Sequence, residues 1–510
     1  MKEELIGNKI DLLMSLLPEG KPIGITFATT NKKYYYDTTT GKILECGDIE
    51  YQIIGKILAN DRKNLGNVIG NQEEYCVALD NVIAAIQKEN VLRLSQFTRL
   101  DIQDDYKDML NTRMNQLVIE LTERCNLRCG YCIYSEDCSK SRNFGERDTT
   151  EDVAFRAIDY AYEHSTASDD LYITFYGGEP LIRYDIMKKC LKYATEKNKN
   201  KKLYFSFTTN AVLMTEEIAK ELAQYENFGV LVSIDGPREV HDLYRVDVSG
   251  KGTFDRALRG LRHLVEAFGE RAEESIILSM VYGPPYSYEK LEKIQNFFEG
   301  LDWLPSGIRK QITYPTPESM PSIYRHLNSV GISAVSESDA SLLTWTRNNY
   351  NKESRAGLFT SDLLEQKFLK INKRLVFDGI MDYICLNGCC MPGQRRLYVT
   401  VDGKFRACER VGNSPFIGDL ENGLYMDTIE KEYLFGYAEK SYEKCSKCWL
   451  GRLCDVCYAH CFDDDGLNIE KKNKECYERL QSFKNALIMY FEFLEIDPHM
   501  FDFLTDYIMI

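Results

Sequence analysis

A group of three cysteines in the first half of the chain constrains its fold more than any other feature. Cys125, Cys129 and Cys132 follow a C-x3-C-x2-C spacing within the stretch E-R-C-N-L-R-C-G-Y-C. Three thiolates can hold three irons of a [4Fe–4S] cube, which normally takes four cysteine ligands, so one iron stays open to a non-protein group. Structural zinc prefers four protein ligands and fits an isolated triad poorly. The spacing predicts an iron–sulfur loop, with buried or disulfide-linked cysteines as the alternative.

The length and charge of the chain predict a globular protein of several domains. Its 510 residues suggest three or four domains of about 100–200 residues each. The net charge of −15 argues against nucleic acid as the main partner, because phosphate binding needs a basic face. No apolar run approaches the ~18 residues of a membrane span. The N-terminus carries acids where a signal peptide needs positive charge, so we expect a cytoplasmic protein without a membrane partner.

Residues 1–105 are predicted to form a small α+β domain. A period-two segment, Lys33–Cys46, indicates a hairpin that turns at residues 38–41. Two helical patterns follow at Ile49–Leu58 and Tyr75–Lys88, with apolar residues three and four positions apart.

Residues 112–345 alternate strand-like and helical patterns. This alternation implies parallel strands joined by right-handed crossovers, and five or six such units predict a partial (β/α) barrel. The strands are predicted at Leu117–Glu120, Leu171–Tyr176, Leu203–Phe207, Val230–Ile234 and Ser275–Val281, and the helices at Thr150–His164, Tyr184–Lys197, Thr215–Leu222 and Thr253–Phe268. Catalytic residues of such barrels lie at the carboxyl ends of the strands.

Polar residues and glycines fall at these predicted strand ends. Gly177 and Gly178 follow the second strand and would let the backbone approach a ligand closely. Glu179 supplies a carboxylate for a cationic group. Asn210 ends the third strand and Ser233 the fourth. The alternative for each of these residues is an ordinary turn or capping role.

A second group of cysteines lies near the C-terminus. Seventeen cysteines in a reducing compartment indicate metal ligands or catalytic thiols rather than disulfides. Ten of them fall between 385 and 476, namely Cys385, Cys389, Cys390, Cys408, Cys445, Cys448, Cys454, Cys457, Cys461 and Cys476. A strand pair is predicted at 397–401 and 404–407. Zinc over residues 445–457 is the alternative, but it leaves the cysteines at 385–408 without a purpose. Cys46, Cys76, Cys138 and Cys190 are interpreted as core side chains or plain thiols.

The two cysteine groups together resemble a known family. The spacing C-x3-C-x-aromatic-C, with Tyr131 as the aromatic residue, resembles the signature of the radical S-adenosylmethionine (SAM) enzymes. The C-terminal group resembles the SPASM domain, which holds two auxiliary [4Fe–4S] clusters. The resemblance implies a partial (β/α)6 TIM-like barrel, an N-terminal α+β domain similar to leader-recognition domains, and a C-terminal SPASM domain. The alternative for the N-terminal domain is a merely structural cap. It also implies that SAM binds the open iron and is cleaved to a 5′-deoxyadenosyl radical.

The resemblance also implies roles for the strand-end residues. The triad would hold the SAM cluster, and Glu179 would contact the SAM amino group. Asn210 and Ser233 correspond to positions that contact the ribose and the methionine part. Tyr131 would pack over the adenine, and Arg245 would pair with the SAM carboxylate through a two-pronged bond.

The auxiliary ligands are assigned by the same resemblance. The second cluster takes Cys445, Cys448, Cys454 and Cys476. The first takes Cys385 or Cys389, Cys390, Cys408, and Cys461 or Cys457. The family spacing is C-x2-C-x5-C-x3-C, whereas here only two residues separate Cys454 from Cys457. The ten cysteines of this region exceed the eight ligands that two clusters need. Glu409 follows Cys408 where the sulfatase-maturating enzymes have an aspartate general base. We predict that Glu409 is a catalytic base, with a plain surface glutamate as the alternative.

The resemblance implies a radical SAM/SPASM peptide maturase of the sactipeptide or ranthipeptide type. The expected product is a thioether between a cysteine sulfur and a carbon of a ribosomally made, Cys-containing precursor peptide with a leader. Expected partners are this peptide and an electron donor such as flavodoxin or ferredoxin. Alternatives are formylglycine formation, a carbon–carbon crosslink, a non-catalytic iron–sulfur carrier and a zinc-binding interaction protein. The predicted domains are recognition at 1–105, barrel at 112–345, connecting helices at 346–384, SPASM at 385–480 and a helix at 481–510.

Overall fold

The N-terminal region folds around its own small core. The computed structural model describes residues 2–101, 105–135, 143–336, 341–355, 357–385, 390–412, 414–463 and 466–506. Its first elements are α1 (Lys2–Leu16), β1 (Gly24–Ala28), β2 (Lys33–Asp37), β3 (Ile43–Cys46), α2 (Asp48–Leu58), α3 (Gln72–Glu89), β4 (Arg99–Asp101) and α4 (Tyr106–Thr112). β1, β2 and β3 form an antiparallel sheet, and the helices bury their apolar faces around Tyr35. The predicted hairpin is confirmed, with Lys33 opposite Cys46.

Six consecutive parallel strands form the centre of the molecule and confirm the predicted α/β class. They are β5 (Gln116–Thr122), β6 (Asp170–Gly177), β7 (Lys202–Thr209), β8 (Phe228–Ser233), β9 (Ile276–Val281) and β10 (Arg309–Thr313). The helices between them are α5 (Glu151–Glu163), α6 (Tyr184–Lys197), α7 (Glu216–Leu222), α8 (Arg238–Tyr244), α9 (Phe254–Phe268), α10 (Ala272–Ser275) and α11 (Tyr288–Glu299). Because neighbours in sequence are neighbours in the sheet, all their carboxyl ends meet at one edge.

Local sequence explains where these helices start. The hydroxyl oxygens of Thr150, Thr215 and Ser287 accept hydrogen bonds from backbone N–H groups three residues later. Each cap satisfies a donor that the first helical turn leaves free. The buried faces then follow the helical period, as Leu261 and Leu264 show on α9.

The C-terminal region extends the central sheet rather than standing apart from it. β12 (Leu397–Val399) pairs in parallel with β5, and β13 (Lys404–Arg406), β14 (Gly418–Asp419) and β15 (Gly423–Leu424) continue the sheet to ten strands. The remaining elements are α12 (Met320–Ser329), α13 (Leu342–Asn349), α14 (Ser361–Asn372), β11 (Tyr383–Cys385), α15 (Met426–Thr428), a π-helix (Ile429–Leu434), α16 (Phe435–Cys445), β16 (Phe462–Asp463), β17 (Gly466–Leu467) and α17 (Ile469–Ile496). The hairpin between Cys390 and Cys408 is therefore built on one edge of the central sheet.

The N-terminal and C-terminal regions are joined by direct hydrogen bonds. The Thr38 hydroxyl donates to the Trp449 carbonyl over 2.7 Å, and Arg452 Nε donates to the Thr38 carbonyl over 2.9 Å. β4 also pairs in parallel with β11. These contacts cross the predicted domain boundaries, and that domain division stays a prediction. Within the described ranges, no helix combines the length and apolar character that a membrane crossing requires.

Candidate active site

The carboxyl ends of β5 to β8 surround a cavity of about 160 Å³. The residues predicted from the triad and the strand ends all line it: Cys125, Cys129, Tyr131, Cys132, Gly177, Gly178, Glu179, Asn210, Ser233 and Arg245. Tyr134 and Tyr176 line it too, although the sequence argument assigned them no role. One cavity therefore holds three thiols, a carboxylate and a guanidinium.

The three thiols of the triad share a buried loop. The N–H of Cys132 donates to the Cys129 carbonyl, and the N–H of Gly130 donates to the Tyr244 carbonyl, both over 3.0 Å. Burial, the nearby Glu179 carboxylate and Cys132 together raise the pKa of the Cys125 thiol to about 12. A bound metal reverses this effect, since a coordinating thiol is deprotonated. All three cysteines line the same cavity.

A [4Fe–4S] cluster and a single metal ion require different spacings between their ligands. Among the described residues, no three His, Cys, Asp or Glu side chains lie close enough to hold one metal ion. The thiolates of a [4Fe–4S] cube bind different irons, so they stand farther apart than the ligands of one ion.

The two glycines after β6 let this loop approach the triad loop. A Cβ on Gly178 would lie 2.0 Å from the Arg124 carbonyl oxygen, and one on Gly177, whose φ is +137°, would lie 2.3 Å from the Thr122 carbonyl oxygen. The N–H groups of Gly178 and Glu179 donate to those carbonyls of Thr122 and Arg124 over 2.8 and 2.9 Å. The close approach expected for a ligand is made here to the protein's own backbone.

Glu179 is a buried carboxylate, 1% exposed, beside the thiols. Its Oε1 accepts from the Thr209 hydroxyl at 2.8 Å and from the Leu181 N–H at 3.1 Å, and its Oε2 accepts from the Asn210 N–H at 2.8 Å. Burial raises the pKa of Glu179 to about 7, although these hydrogen bonds oppose the shift. In the described part of the chain, no cation forms an ion pair with Glu179.

Arg245 has a different partner from the one predicted. Its Nε and Nη2 donate to the two carboxylate oxygens of Asp235 over 2.9 and 3.0 Å, and both residues are buried. The two-pronged bond that we expected toward the SAM carboxylate is therefore made to Asp235. The guanidinium lies 5.3 Å from the centre of the Tyr131 ring, whose hydroxyl also donates to Asp235. Asp235 lies two residues beyond β8, in the same strand end from which Ser233 was selected as the contact residue.

Asn210 fixes the triad loop from the end of β7. Its Nδ2 donates to the Asn126 Oδ1 over 2.8 Å and lies 4.0 Å from the Cys125 sulfur. Its Oδ1 accepts from the Val212 N–H over 3.0 Å. These contacts position Asn210 at the border of the cavity, one residue beyond the strand that carries it.

Glu409 lies in a second cavity of about 200 Å³, and Tyr134 lines both cavities. The Glu409 Oε1 accepts from Arg396 Nη1 over 2.7 Å. Its Oε2 is buried and has no hydrogen-bond partner among the described residues. Glu409 is therefore not a plain surface side chain.

The C-terminal thiols separate into two groups. Cys445, Cys448, Cys454 and Cys476 interact electrostatically with one another, and these are the four thiols assigned to the second auxiliary cluster. A second group contains Cys390, Cys408 and Cys457, since Cys457 interacts with the other two, and Cys461 interacts with a member of each group, Cys457 and Cys476.

Three further cysteines complete the comparison with the predicted ligands. Cys461 is fully buried, and its sulfur lies 3.3 Å from the Cys457 carbonyl oxygen. Cys385 is the last residue of β11. Cys389, like Cys138, lies outside the described residues. Cys190 is a buried core residue, as predicted.

The comparisons with known proteins agree with this geometry. The model of the Radical SAM superfamily matches residues 119–298. The chain is 26% identical to the cysteine-type anaerobic sulfatase-maturating enzyme of Clostridium perfringens over 393 residues, which cover 73% of this chain and 96% of that protein. It is 29% identical to the enzyme of the same name from Clostridium novyi, covering 37% of this chain and about half, 49%, of that relative.

A solved structure supports the same fold. The structure described as native anSMEcpe with bound AdoMet and Cp18Cys peptide aligns with a TM-score of 0.52 and 20% sequence identity. The alignment covers 77% of this chain and all of that chain. The matched region contains every residue that lines the triad cavity, and we conclude that residues 119–298 of this chain form a Radical SAM domain.

Proposed function

We propose that this enzyme binds SAM and a [4Fe–4S] cluster in the cavity at the ends of β5 to β8 and modifies a peptide. The observation that carries the proposal is the pairing of three convergent thiols with a buried carboxylate that has no cation in the described part of the chain. Cys125, Cys129 and Cys132 would hold three irons, and Glu179 would bind the ammonium of SAM. When bound, this pair of cofactors supplies a 5′-deoxyadenosyl radical that abstracts a hydrogen atom.

The chain's own residues would orient SAM and exclude water. A primary carbon radical reacts with any nearby C–H bond, so its surroundings must be shaped and dry. The Asp235–Arg245 pair supports Tyr131 from beneath, so the ring can stack on the adenine in one orientation. Asn210 and Ser233 would contact the ribose and the methionine part. These assignments are proposals for each residue.

We propose a cysteine thioether as the product. Joining sulfur to carbon removes one hydrogen atom from the carbon, one proton from the thiol and one electron. Glu409 is our candidate for the base that accepts the thiol proton, because its Oε2 is buried without a hydrogen-bond partner among the described residues. Two proposed auxiliary clusters, held by the C-terminal thiols, would receive the electron or bind the substrate sulfur. A flavodoxin or ferredoxin would reduce the SAM cluster.

The peptide's leader is proposed to bind the N-terminal region. Among the described strands, β3 pairs with β2 alone, so its other edge can accept an added strand. Next to its end is a groove of about 780 Å³ between the starts of α2 and α3, which Ile49 and the exposed Val77 line. Four acidic side chains, Asp48, Glu50, Glu73 and Glu74, surround this groove. We therefore propose a leader that combines apolar residues with basic ones.

Point variants test this leader site more cleanly than deletion of residues 1–105. Val77→Glu adds a like charge to the acidic groove, and we expect at least a tenfold weaker affinity for a basic leader peptide. Val68→Glu is the matched control, because Val68 is also exposed but does not line the groove. Formation of 5′-deoxyadenosine without peptide should be unchanged in both. Equal affinity of the two variants for the leader would contradict the site.

Formylglycine formation is the second candidate, because the chain covers nearly all of the Clostridium perfringens sulfatase-maturating enzyme. Mass spectrometry of a Cys-containing substrate peptide, after anaerobic reaction with SAM and dithionite, separates the two products. A thioether keeps the sulfur and loses a pair of hydrogens, whereas formylglycine made from cysteine loses the sulfur. Absence of 5′-deoxyadenosine in fully iron-loaded protein would contradict both.

A further inference from the structure

A buried lysine lies against the C-terminal thiols. Lys472, near the start of α17, is 3% exposed. Its Nζ lies 3.4 Å from the Cys445 sulfur, 3.9 Å from the Cys476 sulfur and 5.4 Å from the centre of the Tyr437 ring. No carboxylate in the described part of the chain lies within ion-pair distance of this ammonium.

The position of Lys472 requires negative charge on its neighbours. Burial of an ammonium without an anionic partner costs several kcal/mol. A neutral thiol is a weak acceptor and offsets little of this cost. A metal-bound thiol is deprotonated, so Cys445 and Cys476 would compensate the ammonium as cluster ligands. The lysine and the four grouped thiols thus fit the same anionic centre.

We propose that Lys472 raises the reduction potential of the auxiliary cluster held by Cys445, Cys448, Cys454 and Cys476, an inference that rests on the proposed function. Lysine has three N–H donors and no acceptor, so it contacts the sulfurs and does not bind iron. Reduction adds negative charge to the cluster. A nearby cation and N–H···S bonds stabilise that reduced state more than the oxidised one. Lys472 therefore acts through the two sulfurs, as an electrostatic tuning residue.

The test measures the potential directly. Full-length protein with Cys125, Cys129 and Cys132 replaced by alanine is reconstituted anaerobically, so signals of the SAM cluster are absent. Potentials are measured by electron paramagnetic resonance during a dithionite titration. Lys472→Met removes the charge and the N–H donors, Lys472→Gln keeps a donor, and Lys472→Arg keeps the charge. Lys474→Met is the matched control, because Lys474 is an exposed lysine on the same helix.

We expect Lys472→Met to lower the reduction potential of one cluster by at least about 59 mV. For one electron, this shift is a tenfold change in the ratio of reduced to oxidised cluster. Lys472→Gln should fall between Met and wild type, and Lys472→Arg and Lys474→Met should stay near wild type. Equal potentials in wild type and Lys472→Met would overturn the proposal. Iron loss in both neutral variants but not in Lys472→Arg would make Lys472 an assembly residue and would also overturn it.

The same samples distinguish failure of the inference from failure of the proposed function. About eight irons in the triad-free protein, together with unchanged potentials, would refute the tuning role and leave the auxiliary clusters in place. Zinc at these thiols would refute the auxiliary clusters and the tuning role together. Neither result bears on SAM cleavage, which is measured separately as 5′-deoxyadenosine formation by protein that keeps the three triad cysteines.

Discussion

The two thiol sites of this molecule differ in what surrounds the sulfurs. In the triad cavity, the Cys125 sulfur accepts a backbone N–H from Leu127 at 3.4 Å, and the Glu179 carboxylate, which has no cation partner in the described part of the chain, lines the same cavity. At the C-terminal site, four thiols are grouped and a buried ammonium lies 3.4 Å from one sulfur. Three thiols with a carboxylate suit a cationic ligand from outside the chain. Four thiols with a lysine suit a cluster whose ligands all come from the protein.

The largest expected effect separates the two sites by their chemistry. Alanine at Cys125, Cys129 or Cys132 should reduce 5′-deoxyadenosine formation below detection, because the SAM cluster loses a ligand. Cys445→Ala should keep SAM cleavage and lose the peptide product. Both are measured by chromatography and mass spectrometry after anaerobic reconstitution. Full product formation by Cys445→Ala would show that the C-terminal site does not take part in the reaction.

The second largest effect is expected from breaking the buried ion pair between Asp235 and Arg245. Arg245→Met leaves the buried Asp235 charge without its partner and should cost about 3–5 kcal/mol of stability. Thermal unfolding of the metal-free protein measures this cost without any contribution from SAM. A stable variant that only loses SAM affinity would restore the original prediction that Arg245 binds the SAM carboxylate.

A smaller effect tests the charge of the open site. Glu179→Gln keeps the shape but removes the anion, and a hydrogen bond to a charged group contributes about 1.5–3 kcal/mol. We expect a roughly 10- to 100-fold higher Kd for SAM, measured by anaerobic calorimetry. Glu163→Gln, on the exposed end of α5, is the control. An unchanged Kd for Glu179→Gln would mean that the SAM ammonium binds elsewhere.

The smallest expected effect is a pH dependence of SAM binding at the triad cavity. The pKa of Glu179 is raised to about 7 in the free protein, so the carboxyl is protonated below pH 7 and ionised above it. A cationic ligand favours the ionised form, and SAM affinity should therefore fall by up to tenfold per pH unit as pH decreases below 7. In Glu179→Gln the same titration from pH 6 to 8 should be flat. A slope that survives in this variant would assign the titration to another group.

Much of the barrel was predictable because its strands carry a regular signal. The predicted strand at Leu171–Tyr176 is β6, Asp170–Gly177, and its alternate residues are buried as the period-two pattern requires. The sixth strand was missed. β10 reads R-K-Q-I-T, which has little apolar character, and it forms because β9 offers it a pairing edge. Here the tertiary context overrides the local propensity. α1 and β1 were missed as well.

The sequence predicted which residues line the site, but not which of them bond to one another. Every residue that the motifs selected for the triad cavity lines it, because the carboxyl ends of parallel strands meet. The partner of Arg245 depends on side-chain directions that spacing does not reveal. Lys472 lies one helical turn before Cys476, which a helix prediction could have shown, but Cys445 reaches it from another helix.

The contacts between Thr38 and the loop at Trp449–Arg452 bear on any attempt to change the substrate specificity by replacing the N-terminal region. A chimera that imports a foreign recognition unit at residue 105 would lose β4, the partner of β11, and the hydrogen bonds that Thr38 makes beside Cys448 and Cys454. The transplanted unit would have to bring matching partners for both segments. Point changes in the proposed leader groove between α2 and α3 leave these contacts in place, so they are a better way to alter specificity than grafting.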